Sequence, residues 1–106
     1  MNFYEQENNK TVLKTREIIR ELPEFCNEFF LDLNQNTLPK TRMGYAYDLR
    51  VFFNFLVTEN KEFLGRDIKS LTLDDLQKIK VVDLNQFMDY LAYYVSEENP
   101  SWWQQG

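Results

Sequence analysis

The chain has 106 residues, enough for one hydrophobic core but too few for two, so we expect a single domain. Aromatic residues make up 16% of the sequence and only three glycines and three prolines interrupt it, which favours helices over many short strands. The net charge of −5 argues against binding of nucleic acid through positive charge over the whole protein surface. Any surface that binds nucleic acid must therefore be a local patch.

Two helices are predicted in the first third of the chain. Residues 1–9 are polar and aperiodic, and we expect a disordered terminus there. Apolar residues recur at helical spacing over residues 11–22 and predict a short first helix. Pro23 suits the first position of a second helix, which extends through its phenylalanines to Leu33 before the polar break at residues 34–36.

The clearest element is a helix that begins at Pro39 and continues over residues 40–58. One face carries a stripe of large apolar side chains, which predicts that it turns to the core: Tyr45, Leu49, Phe52 and Leu56. The opposite face is polar and cationic, and carries Lys40, Met43, Tyr47, Arg50 and Asn54, with Gly44 at its flank.

A loop and a short capped helix follow. Residues 60–71 are mixed in character and predict a loop. The hydroxyl of Thr72 suits an N-cap that accepts the backbone N–H of Asp75, and acidic residues after it suit the positive end of a helix dipole. We therefore expect a short helix that ends at about Lys80.

The last predicted helix occupies residues 83–96, with Asp83 as its N-cap and apolar residues at helical spacing. Residues 97–106 are interrupted by proline and predict a polar tail. Trp102 and Trp103 in this tail suit two roles equally well: they would stack on a base or a partner, or they would cap the core or contact missing sequence.

Few residues of the chain suit catalysis. Histidine is absent, which removes the usual general base, the commonest metal ligand and the Ser-His or Cys-His nucleophile pairs. No glycine-rich phosphate loop occurs, and the single Cys26 cannot complete a zinc site. We expect no catalytic residues, no metal and no cofactor.

Cys26 and the apolar runs bear on the compartment. Cys26 lies among phenylalanines, so we expect a small buried hydrophobe rather than a reactive thiolate. A lone cysteine without an apolar leader favours a reducing, cytoplasmic compartment. No apolar run approaches the roughly 18 residues that span a bilayer, so we expect no membrane partner.

Residues 38–56 read Leu-Pro-Lys-Thr-Arg-Met-Gly-Tyr-Ala-Tyr-Asp-Leu-Arg-Val-Phe-Phe-Asn-Phe-Leu. This string resembles the N-terminal core-binding (SAM-like) domain of tyrosine recombinases, the phage integrase family, whose pattern is Pro, then Thr-x-x-x-Tyr-x-x-Asp-Leu, then Phe-x-x-Phe-Leu. The residues that fit the pattern are Pro39, Thr41, Tyr45, Asp48, Leu49, Phe52, Phe55 and Leu56. Residues 71–76 and 83–91 resemble the family's next two helices, so the resemblance covers residues 22–94.

Two features depart from the family pattern. Leu38 stands where many relatives carry a serine N-cap, so the cap of the long helix is in doubt. The family continues into a further helix and then into a catalytic domain with Arg, His and nucleophilic Tyr residues, and none of that follows the tail of residues 97–106 here. The chain therefore reads as a non-catalytic fragment of a recombinase of bacterial, phage or mobile-element origin.

The resemblance implies an all-α fold, a small orthogonal bundle of four to five helices, here over residues 10–96. It implies DNA binding in site-specific recombination and DNA integration, in which this domain and the catalytic domain clamp duplex DNA. The expected partners are double-stranded DNA and other recombinase subunits, and we expect the isolated fragment to be monomeric.

The resemblance also implies a set of DNA-binding residues on the long helix: Lys40, Thr41, Arg42, Met43, Gly44, Tyr47 and Arg50. Lys40 and Arg42 would contact phosphates at the helix start, where free backbone N–H groups favour anions. Tyr47 and Arg50 would reach base edges, and Gly44 would allow close approach of the backbone. Residues 40–80 contain eight basic and six acidic residues, so charge is asymmetric in the expected direction.

Two alternatives compete with this prediction. A helical protein–protein interaction module would use the tyrosine-rich helix of residues 83–96 or the Trp102–Trp103 pair as its contact. In that case the basic side chains of the long helix form an ordinary solvated face. A standalone enzyme would need chemistry without histidine, and we expect none.

Overall fold

The computed structural model describes the backbone of residues 3–93 and the side chains of residues 6–93. This part of the chain contains five α-helices and no β-strand: α1 Phe3–Arg20, α2 Cys26–Leu33, α3 Pro39–Glu59, α4 Leu73–Gln77 and α5 Val81–Tyr93. A 3₁₀ helix, Ile68–Ser70, precedes α4. The prediction of a small all-α bundle of four to five helices is confirmed.

Helix α1 is longer than the sequence pattern predicts. It begins at Phe3 rather than residue 11, so the expectation of disorder is wrong for residues 3–9. The described side chains of this extension, those of residues 6–10, are polar and exposed, and the helix there is held by local contacts such as the hydrogen bond of 2.9 Å from the Thr11 hydroxyl to the Glu7 carbonyl. Because adding a turn to an existing helix costs far less than nucleating one, the extension needs no apolar face.

Helix α2 begins later than predicted. Pro23 lies in a turn before the helix, and its carbonyl accepts the backbone N–H of Cys26 at 3.0 Å. Cys26 is then the first residue of α2 and is buried in the core, as the sequence predicts.

Helix α3 is the central element, and its start and end agree with the prediction to within a residue or two. The described core consists of Ile18, Leu22, Cys26, Phe30, Ala46, Phe53, Phe55, Leu56, Phe63 and Leu71. Of the four residues predicted to form the buried stripe of α3, only Leu56 is fully buried. Leu49 and Phe52 are half-buried, and Tyr45 is 42% exposed.

The predicted stripe is confirmed at Leu56 and wrong at Tyr45, while Leu49 and Phe52 pack only partly against the core. The reason is that α3 is packed on more than one side. The ring of Phe25, just before α2, lies 6.1 Å from that of Phe53. On another side, the ring of Phe87 on α5 lies 4.9 Å from Phe52 and 5.2 Å from Phe55. A helix wheel with one buried face cannot describe a helix with two packed sides.

The start of α4 agrees with the predicted cap. The Thr72 hydroxyl accepts the Asp75 backbone N–H at 3.2 Å, and the Asp75 carboxylate accepts the Thr72 backbone N–H at 2.9 Å. Arg66 donates to the same carboxylate at 3.0 Å. These hydrogen bonds, that of Arg66 first, lower the pKa of Asp75 to about 2. The helix ends at Gln77, earlier than the predicted end at about Lys80.

Helix α5 begins at Val81, so Asp83 lies in its first turn rather than at the N-cap position. Its carboxylate nevertheless accepts a helix-start N–H, that of Lys80 at 2.8 Å. The predicted end of this helix at residue 96 and the tail with Trp102 and Trp103 lie outside the described residues. Over residues 3–93, none of the helices is long and apolar enough to cross a membrane.

Candidate nucleic-acid interface

The start of α3 is the part of the predicted DNA-binding face that is most open to a ligand. Leu38 occupies the N-cap position without a side-chain hydrogen bond, Pro39 follows it, and no acidic residue lies in the first turn. The backbone N–H groups of Lys40 and Thr41 have no hydrogen-bond partner among residues 3–93. Both side chains are exposed. Free N–H groups, the helix dipole and a lysine therefore coincide at one helix end.

Arg42 is oriented differently from Lys40. Its guanidinium Nη1 donates to the Thr37 carbonyl at 2.5 Å and lies 3.4 Å from the Thr37 hydroxyl. That hydroxyl donates in turn to the Leu33 carbonyl at 2.6 Å. Arg42 thus ties the start of α3 to the end of α2 and is half-buried.

Tyr47 and Arg50 form a unit with the segment that follows α1. The Arg50 guanidinium lies 5.1 Å from the centre of the Tyr47 ring and donates to the Glu21 carboxylate at 2.9 Å. The Arg50 side chain is 30% exposed, and Tyr47 packs partly against the core. Both residues therefore stabilise the packing of α1 on α3, and Arg50 presents only part of its charge to solvent.

Gly44 and Met43 complete the predicted set. Gly44 is exposed, and a Cβ atom placed on it would meet nothing within 4 Å. It lies one turn after Lys40 and close to one turn before Tyr47, on the same side of the helix. Met43 is half-buried. The structure thus brings Lys40 and Gly44 together on an exposed face that Thr41 borders, whereas the other four predicted residues are partly engaged within the protein.

One acidic residue borders this face. Asp48 lies one turn after Gly44, and partial burial raises the pKa of its carboxyl above the usual value. Its charge would oppose an approaching phosphate, so the favourable part of the face is its N-terminal end.

Neither a reactive thiol nor a metal centre occurs in the described part of the chain. Cys26 is 2% exposed, and burial raises the pKa of its thiol to about 11, so the prediction of a core residue is confirmed. Within residues 6–93, no group of three or more His, Cys, Asp or Glu side chains is placed to hold a metal ion.

The contact between Arg50 and Glu21 was not predicted from the sequence. These residues are 29 positions apart, and no local pattern relates them.

No protein-family model matches the chain, and neither a curated protein nor a solved structure is detectably similar to it.

Proposed function

We propose that this chain is the DNA-binding (core-binding) domain of a site-specific tyrosine recombinase or integrase, which clamps duplex DNA together with the catalytic domain of the recombinase. The proposal rests on the order and spacing of motifs over residues 22–94. An all-α bundle with α3 at its centre is compatible with it.

The structural observation that supports the proposal is the uncapped, acid-free start of α3. Phosphate binds well at such a helix end, because backbone N–H groups point at it and the dipole favours negative charge. Lys40 adds an exposed cation that favours a phosphate contact, and Gly44 leaves room for a DNA backbone one turn further on. We assign phosphate contacts to Lys40 and Thr41 and close approach to Gly44.

Arg42, Met43, Tyr47 and Arg50 have a smaller part in this proposal than the resemblance implies. Arg42 is held by Thr37, so it would reach DNA only with the donors that this bond leaves free. Arg50 would read a base edge only if its ion pair with Glu21 opened.

The test is the binding of a labelled DNA duplex by the chain, followed by fluorescence anisotropy over a series of salt concentrations. Because phosphate contacts release counterions, we expect binding that weakens steeply with salt, and Lys40→Gln should reduce the salt slope by about 1. Lys61→Gln is the matched control, since it removes an exposed lysine just beyond the opposite end of α3, about 30 Å away. Equal weakening by both variants, or no salt-sensitive binding, would refute the proposal.

A variant of Arg50 needs its own control, because loss of its side chain also breaks an ion pair. Glu21→Gln breaks the same pair but keeps the guanidinium. If Arg50 reads DNA, Arg50→Gln weakens binding and Glu21→Gln leaves it unchanged or strengthens it. Equal effects of the two variants would assign Arg50 to packing alone.

A second candidate function, a helical protein–protein interaction module, is favoured by α5. None of the residues of this helix is fully buried, and Val81, Leu84 and Met88 are exposed at helical spacing. An apolar stripe of this kind is typical of a helix that packs on a partner. Met88→Lys would abolish such an interaction and leave DNA binding unchanged, which separates the two functions.

A further inference from the structure

A cleft of about 470 Å³ lies between α1, α2 and the start of α3, where Pro39 and Arg42 adjoin the helix end assigned to DNA above. Three arginines line it: Arg16 and Arg20 from α1, and Arg42 from α3. Among the described residues that line it, none is acidic. The cleft therefore concentrates positive charge on a protein whose net charge is −5.

The two arginines of α1 are available to a ligand. They are four residues apart, so they lie on the same face of the helix, and both are exposed. Neither forms an ion pair within the described part of the chain, and the carboxylates that follow each of them directly in sequence pair with other residues. Glu17 pairs with Lys14 at 3.5 Å, and Glu21 pairs with Arg50 at 2.9 Å.

Arg42 lies on the α3 side of the cleft, and its guanidinium is held in a fixed orientation before any ligand binds. Its hydrogen bond to the Thr37 carbonyl fixes the guanidinium but uses only part of its donor capacity, since a guanidinium carries five N–H donors. A planar guanidinium binds phosphate oxygens in pairs, and a fixed one loses less conformational entropy on binding.

The rest of the cleft is not a charged surface. Apolar side chains, including Ile19, Phe30 and Pro39, contribute to its lining, and the amides of Asn27 and Asn34 add neutral polar groups. Its volume lies in the range of about 300–1,000 Å³ that is usual for small-molecule sites. Arginines beside apolar side chains and amides suit a ligand that has an anionic group and a flat or apolar body.

We propose that this cleft binds a phosphoryl group that is attached to such a body, the chemistry of a nucleotide. The nucleotide is either free or a unit of a DNA strand. The site uses α1, which the function proposed above does not, and it stands whether or not the start of α3 binds DNA.

The test is calorimetric titration of the full chain with adenosine 5′-monophosphate at low salt. We expect saturable binding of one nucleotide per chain, weakened about tenfold or more by Arg16→Gln and by Arg20→Gln, since each removes a charge-assisted hydrogen bond. Lys10→Gln is the matched control, because it removes the same charge from an exposed position earlier on α1. Circular dichroism of each variant checks that the helices are intact.

Titration of the same variants with a DNA duplex distinguishes the two sources of phosphate. If the arginine variants weaken nucleotide binding but not duplex binding, the ligand is a free nucleotide. If they weaken duplex binding, with or without an effect on the nucleotide, the ligand is a DNA phosphate. If neither ligand depends on Arg16 and Arg20, or if Lys10→Gln has an equal effect, the proposal is overturned. Lys40→Gln tests the start of α3 separately, so the two proposals fail independently.

Discussion

The side-chain amide of Asn60 donates a hydrogen bond of 2.9 Å to the carboxylate of Asp83, 23 residues further along the chain. Asn60 ends α3 and is 2% exposed, while Asp83 lies in the first turn of α5. The amide oxygen of Asn60 also accepts the backbone N–H of Glu62 at 2.9 Å. One buried side chain therefore ends one helix, orders the following turn and positions the start of another.

We expect Asn60→Ala to lower the free energy of unfolding by about 2 kcal/mol, because it removes the hydrogen bonds of a buried amide with the Asp83 carboxylate and the Glu62 backbone N–H. Urea denaturation followed by circular dichroism measures the change. Asn54→Ala is the control, since Asn54 is an exposed asparagine on the same helix and alanine is the better helix former. A loss of less than about 0.5 kcal/mol in Asn60→Ala would show that the hydrogen bond does not hold α5 in place.

Acid should destabilise the fold through Asp75. The pKa of this carboxyl is lowered to about 2 in the folded protein, below the value of about 3.9 in unfolded chains. A lowered pKa gives stability that is fully present above pH about 4 and is lost as the pH falls towards about 2. Hydrogen bonds of its carboxylate likewise lower the pKa of Asp83, which adds to the loss in the same direction.

Thermal melts between pH 6 and pH 2 test this prediction. Asp75→Asn should be less stable than the parent chain at pH 6, and the difference should shrink as the pH falls. Asp74→Asn is the control, since Asp74 lies in the same helical turn but accepts no side-chain hydrogen bond from the described residues. A difference that stays constant with pH would contradict the role of the Asp75 charge.

The two described glycines should respond to alanine in opposite ways. Gly44 lies within α3 and a Cβ atom there meets nothing within 4 Å, so Gly44→Ala should stabilise the fold by about 0.5–1 kcal/mol. Gly65 has a φ of +83°, so Gly65→Ala should cost about 1–2 kcal/mol although space is available. Urea denaturation of both variants measures these changes. If Gly44 also admits a DNA backbone, Gly44→Ala will weaken DNA binding while it stabilises the fold.

The position of the core on α3 predicts a contrast between two aromatic residues. Phe53→Ala should cost about 3–5 kcal/mol, because the phenyl ring is fully buried and leaves a cavity. Tyr45→Ala should cost much less, about 1 kcal/mol, because its ring is partly exposed and contacts Phe29 at the surface, 6.5 Å between centres. Equal losses of stability in the two variants would indicate that Tyr45 is buried, as the helix wheel predicts.

The elements that the sequence predicted well are those fixed by neighbouring residues. Pro39 marks the start of α3 because its ring suits a first helical position, and the box of Thr72 and Asp75 spans one helical turn. A local pattern contains all the information needed for such features.

The features that the sequence did not predict depend on distant residues or on weak preferences. The exposure of Tyr45 depends on how α3 packs between its neighbours, and the Arg50–Glu21 ion pair depends on the crossing of α3 with the end of α1. The polar extension of α1 lacks the apolar periodicity that marks a helix in sequence. Of the candidate face, sequence reasoning identified the position of Lys40 and Gly44 but not the internal contacts of Arg42 and Arg50.

The attachment of α5 to the rest of the domain determines which part of the fold opens first. This helix has no fully buried residue and is held to α3 largely by the rings of Phe87 and Tyr90 and by the hydrogen bond between Asn60 and Asp83. Such an element detaches at a lower free energy than the whole domain unfolds. Its backbone amides should therefore exchange with deuterium sooner than those of α3 around Phe53, and Asn60→Ala should widen that difference. The bundle would then behave as a stable unit of α1, α2 and α3 with a fifth helix that opens and closes on it.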